Sequence, residues 1–216
     1  MNSSLSEIIS NIKEKLDTLD NVRNEALKIS RDVIRLSGWS ITKLHEGDLD
    51  NASRHLEECR NNSRKLLEMT RPYPELYYSG FVNNAVSEYV EAEVFYSIVT
   101  QDRIPSPSEV NTPIVPYLQG LADTVGELRR LALDYLGKKE IDSAEKLFNW
   151  MYVIYSELRG LDYPDSLVPG LRRKVDVARR LIDDTKAFLV DLKSRYELIG
   201  LMNKVEGLGD ARHHQG

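Results

Sequence analysis

The apolar positions of this chain recur at intervals of three and four residues, and no stretch alternates long enough to make a strand. The first run carries Leu5, Ile9, Ile12, Leu16, Leu19, Val22, Ala26, Ile29, Val33 and Leu36. It opens on Ser4 and Glu7 in capping-box spacing and stops at Gly47. At 1.5 Å per residue this predicts a rod of about 60 Å, too long to bury its stripe inside a compact domain of this size, so it needs neighbours of similar length. A second helix starts near Asp48 or Asp50 and runs to about Thr70, where Arg71-Pro72-Tyr73-Pro74 breaks it. The third is expected from about Pro74 to Gln101. A Pro- and Ser-rich connection follows from Asp102 to Pro116. A fourth helix spans Tyr117 to Leu136 with Gly137 as its stop, and a fifth starts at Asp142 and Glu145 and ends at Gly160. After Pro169-Gly170 the last carries Leu171, Val175, Ala178, Ile182, Phe188, Leu192 and Ile199. The expectation is one all-α domain over residues 1–200, a bundle of six to seven helices led by a long one. Residues 201–216, Gly-rich and closing on His213-His214-Gln215-Gly216, read as a flexible tail.

The third helix holds a misfit. Its apolar row is Phe81, Ala85, Ala92, Phe95 and Val99, and the position that completes the row is Glu88. A carboxylate there costs several kcal/mol, roughly, unless a cation, a donor or a shared proton compensates. Glu91 lies three residues on and projects from nearly the same side. Two converging acids fit a hard metal ion or a proton-transfer site; the plainer alternative is a salt-bridged Glu at the stripe's edge. On the fourth helix Asp123 and Glu127 share a face opposite Leu118, Leu121, Val125, Leu128 and Ala132, with Arg130 and Asp134 beside them. By periodicity alone that is a solvated face. Gly120 and Gly126 inside the same helix each cost about 1 kcal/mol relative to Ala, and point to close packing of backbone or ligand.

Composition narrows the classes. The net charge of −5 argues against coating nucleic acid by bulk electrostatics but leaves room for a local basic path. Lys28, Arg31 and Arg35 on one face of the first helix are candidate phosphate contacts, as is Arg130 beside Glu127. Cys59 stands alone, so there is no intramolecular disulfide and no zinc spacing, and a reducing cytoplasm fits best. No apolar window approaches a membrane span and no secretory h-region opens the chain. Phosphate-loop, dinucleotide, zinc-protease and serine-hydrolase motifs are all missing. Neither His45 nor His55 has the Glu-x-x-His spacing of di-iron bundles, and a carboxylate donor set suits Mg²⁺ or Mn²⁺ better than iron or zinc.

The run Glu88-Tyr89-Val90-Glu91-Ala92, paired with Tyr117-Leu118-Gln119-Gly120-Leu121-Ala122-Asp123-Thr124-Val125-Gly126-Glu127-Leu128, resembles the translin family, and more closely its translin-associated factor X branch. Lys28-Ile29-Ser30-Arg31-Asp32, Lys43-Leu44-His45, Gly137 with Ile141-Asp142, and Tyr155 extend the likeness over nearly the whole chain. The resemblance implies a helical bundle that assembles into a hollow, octamer-like homo-oligomer and binds RNA and single-stranded DNA. For the X branch it implies a Mg²⁺-dependent (alternatively Mn²⁺-dependent) endoribonuclease, with Glu88, Glu91, Asp123 and Glu127 as catalytic metal ligands. The translin branch has non-acidic residues at the positions of Glu88 and Glu91, and its members act largely as nucleic-acid holders without cleavage. That is the second reading, and an incidental helical scaffold is the third. Two departures stand out. The segment Pro74-Glu75-Leu76-Tyr77-Tyr78-Ser79-Gly80 lacks the basic, His-containing stretch that translin uses for DNA, and the long insertion the X branch can carry has no clear counterpart. In animals the X protein works with translin; whether this chain needs such a partner is left open by its sequence.

Overall fold

A computed structural model describes the backbone of residues 2–213 and the side chains of residues 4–199 and of Met202. Within it the chain forms seven α-helices and no strand: α1 Asn2–His45, α2 Leu49–Thr70, α3 Pro74–Tyr77, α4 Gly80–Gln101, α5 Ile114–Gly137, α6 Ile141–Arg159 and α7 Leu171–His213. Gly47, at φ +78°, supplies the left-handed turn that ends α1, and Asp48 caps α2 by accepting from the Asn51 amide at 3.2 Å. The helix expected as continuous from Pro74 is broken instead. Ser79 is extended at φ −68° and ψ 152°, and its hydroxyl donates to the Leu76 carbonyl at 2.6 Å, so α3 stops after one turn. The next long helix begins earlier than Tyr117, because Pro116 sits in its first turn, where a missing N–H has no helical partner to lose.

α4 is the axis of the bundle. It packs on α1, α2 and α5, and α5 in turn packs on α6 and α7. Its buried residues, among them Val82, Val86, Tyr89, Val90, Val94 and Phe95, surround the helix instead of forming one stripe, as in a helix enclosed on several sides. Glu93 is buried too, and the Arg60 guanidinium of α2 reaches both its carboxylate oxygens at 3.0 Å. Cys59 is enclosed nearby against Ser37, and burial pushes its thiol up to about 12, which removes it as a nucleophile. No helix among the described residues is long and apolar enough to cross a membrane.

Both long helices overhang this core. On α1, Leu5, Ile8, Ile9, Ile12 and Leu16 are exposed, and continuous burial begins only at Ala26. On α7 the expected Leu171, Ala178 and Ile182 are buried, but the row continues through Thr185 and Leu189 instead of Phe188, which is 46% exposed. Leu198, Ile199 and Met202 are exposed further along. Helical backbone continues to His213, and the rest of the expected tail, with His214, lies outside the described residues.

Of the two glycines inside α5, Gly120 carries the close packing. A Cβ there would overlap the Ser87 carbonyl oxygen and lie 2.7 Å from the Val90 Cβ of α4, whereas a Cβ at Gly126 would meet nothing within 4 Å. Gly120→Ala is therefore expected to lower unfolding stability by about 1–3 kcal/mol through overpacking. Gly126→Ala should be neutral or raise it by up to about 1 kcal/mol through helix propensity. Denaturant unfolding of both variants checks this, and equal losses would contradict the α4–α5 contact.

Candidate metal centre

The contact at Gly120 sets α5 close against α4 and brings Glu88 and Glu91 opposite Asp123 and Glu127. All four line one cavity of about 500 Å³, which α7 closes with Arg173, Lys174, Val177, Ala178 and Leu181. Gly126 lines it as well, and its missing side chain leaves room there. The face of α5 that periodicity assigns to solvent is thus one wall of a half-open cleft, with Asp123 and Glu127 partly buried in it. A larger hollow of about 620 Å³ lies beneath the α6–α7 connection, but its charged lining, Arg159, Asp162, Asp165, Arg172 and Asp176, is exposed.

The four acids are held differently. Asp123 accepts from the Lys174 ammonium of α7. Glu127 is bonded at 2.6 Å to the Nε2 of His45, in the last turn of α1, and the Nη1 of Arg130 stands 3.8 Å away. The His45 side chain is only 5% exposed, stacks obliquely on Phe95 with ring centroids 5.0 Å apart, and has its Nδ1 3.9 Å from Asp134, beyond hydrogen-bond reach. Among the described residues Glu88 and Glu91 have no ion-pair partner. Burial, then the charge of Asp123, raises the Glu88 carboxyl above the ordinary range. Burial also pushes Glu91 up to about 8, with Asp123, Glu88 and Glu127 adding repulsion and Lys174 opposing it.

Such a donor set fits a hard divalent cation. It is made of carboxylate oxygens, its lining sets four acids against two basic side chains, and burial together with the neighbouring acids raises the carboxyls of its two unpaired members. As they stand, no three Asp, Glu, His or Cys side chains among the described residues are gathered closely enough to hold one ion. Lys174 engages Asp123, and His45 engages Glu127.

The predicted basic contacts separate. Arg130 stands at the rim of the cavity beside Glu127. Lys28, Arg31 and Arg35 lie on the exposed face of α1, where Lys28 pairs with Glu25 and Arg35 with Asp32, each at 2.6 Å, and the Arg35 guanidinium sits 4.9 Å over the Trp39 ring. From Lys28 to His45 is about 25 Å along the helix axis, so this face does not reach the acids. The residues that sequence reasoning missed are His45, Arg173 and Lys174. Lys174 had a signal: between Leu171 and Ala178 it stands in the apolar row of α7 as Glu88 stands in that of α4. His45 figured only within the Lys43-Leu44-His45 likeness, and nothing local tied it to Glu127, which lies four helices on.

The raised carboxyls give stability a direction with pH. A Glu that binds its proton more tightly folded than unfolded contributes stability that is full below its ordinary value of 4.5 and is lost as pH rises through about 8. In chelator, the melting temperature of Glu91→Gln should therefore gain on that of the wild type as pH rises across this window. Parallel melting curves would show that Glu91 is not crowded by its neighbours.

Comparison with known proteins bears on the family and the fold. The model of the Translin family matches residues 21–195. An uncharacterized protein of Methanocaldococcus jannaschii is 34% identical over 185 residues, which cover 83% of this chain and 82% of that protein. Among solved structures, the complex of AfC3PO with duplex RNA superposes with a TM-score of 0.81 at 32% identity, covering 87% of this chain and 97% of that one. Apo-NeC3PO gives 0.78 at 27% identity, covering 85% and 96%. On its helical architecture, its sequence and this match, the chain belongs to the translin family.

Proposed function

We propose that this protein is an RNA-binding, Mg²⁺-dependent endoribonuclease of the translin-associated factor X type, working as a closed oligomer. The observation that carries this reading is the convergence of Glu88 and Glu91 with Asp123 and Glu127 on one cavity. Bound there, Mg²⁺ or Mn²⁺ would supply Lewis acidity and a water of lowered pKa. Glu88, Glu91, Asp123 and Glu127 are the groups that would hold it. His45 fixes the orientation of Glu127 through Nε2, as an outer group does for a metal-binding carboxylate. Arg130 and Arg173 place positive charge at the cavity, where RNA phosphates would be bound and oriented. Binding to RNA is supported by the likeness to AfC3PO, which has been seen in complex with duplex RNA. Single-stranded DNA remains part of the family expectation. A holder without cleavage is the rival reading, and the engagement of Asp123 by Lys174 and of Glu127 by His45 favours it.

Glu88→Gln and Asp123→Asn should each lower Mg²⁺-dependent cleavage of labelled RNA by about 100-fold or more, with helicity and RNA retention kept. Cleavage surviving in both, with contaminating nuclease excluded, would sink the assignment.

Assembly follows from the overhanging apolar faces of α1 and α7, which a lone chain leaves in water. Light scattering should report a mass several times 24.7 kDa, and Ile12→Asp should reduce both mass and cleavage. A monodisperse, fully active monomer would defeat the oligomeric part of the reading.

A further inference from the structure

The cavity already contains a cation. Among the described residues of α7, Lys174 is the one that forms an ion pair with the acid cluster, and its partner is Asp123. Its stem is held between buried Leu171 and Ala178, so its side chain is only 27% exposed and its ammonium is confined to the neighbourhood of the acids. Arg173, its neighbour in sequence, lines the same cavity on an exposed position and makes no ion pair among the described residues. α5 and α7 could be joined by a salt bridge anywhere along their contact. This one ties up one of the four carboxylates that would have to turn toward a metal.

We propose that Lys174 is the resident counter-ion of this cavity, occupying Asp123 until a divalent cation displaces it, and that once displaced it binds an RNA phosphate together with Arg173. The proposal rests on the metal reading given above. An ammonium and a divalent cation repel one another across a shared carboxylate, so the two compete for Asp123. The long, flexible stem of a lysine lets the charge swing while the backbone stays still. Two consequences follow by linkage. Lys174 weakens metal binding by the free protein. RNA, by drawing the ammonium off Asp123, restores that affinity, so metal and substrate assist each other's binding. A purely structural ion pair would also oppose the metal, but it would not couple metal binding to RNA.

The test uses the full chain as wild type, Lys174→Met, Lys174→Arg, Arg173→Ala and Glu91→Gln, each checked for helicity. Mn²⁺ is titrated calorimetrically without RNA, and affinity for a 2′-O-methyl RNA that resists cleavage is measured with Mn²⁺ present. Lys174→Met keeps the apolar stem and should bind Mn²⁺ about tenfold more tightly than the wild type, yet bind the RNA more weakly. Lys174→Arg should stay close to the wild type in metal affinity. Arg173→Ala should lose RNA affinity with metal affinity unchanged. Mn²⁺ affinity that is unchanged or weaker in a folded Lys174→Met, while Glu91→Gln abolishes binding, would overturn the role of Lys174 and leave the metal site standing. Absence of Mn²⁺ binding in both the wild type and Lys174→Met would overturn the metal reading and this inference together.

Discussion

The approach of α5 to α4 at Gly120 decides where every chemical group of this protein lies. A side chain at that position would meet the backbone of Ser87 and the side chain of Val90, so the two helices come this near only because none is there. Ser87 and Val90 sit next to Glu88 and Glu91 in sequence, and Gly120 lies one turn before Asp123. The close contact and the acidic cavity are therefore two faces of one crossing. Packing at the crossing supplies the rigidity, and the acids collect in the space just beyond it.

Like charges assembled this way oppose folding, and the structure offsets the opposition without removing it. Asp123 and Glu127 receive partners from α7 and α1, the helices at the outside of the bundle. Glu88 and Glu91 receive none, and burial and repulsion raise their carboxyls above the ordinary range. This is a local conflict between stability and chemistry, of the kind that clusters at functional sites.

Much of this was legible in the sequence, for physical reasons. Helix periodicity, Gly47 and Gly137 as stops and the proline-rich connection gave the bundle and most of its boundaries. Glu88 declared itself because a charge in an apolar row is costly. What failed to show were features set by packing across the chain. The break at Ser79 depends on a hydroxyl finding a carbonyl three residues back. The inward turn of the Asp123 face depends on α7 arriving above it, and the pairing of His45 with Glu127 depends on where α1 ends. The X-branch likeness named the four acids together, while Lys174, equally out of place in its own row, passed unremarked because lysine stems so often lie along apolar surfaces.

The pair of half-exposed Arg60 with buried Glu93 acts on α4 as an index pin acts on a shaft. Successive helical residues are turned by about 100°, so Glu93 and Glu91 point to nearly opposite sides of the same rod. Holding Glu93 against α2 through two hydrogen bonds leaves α4 a single angular setting. In that setting Glu88 and Glu91 must look toward α5. A roll of α4 by a fraction of a turn would cost the cavity half of its carboxylates, and this pair adds to the tight crossing at Gly120 in opposing it. One ion pair on the far side of the bundle thus keeps the aim of two acids it never touches.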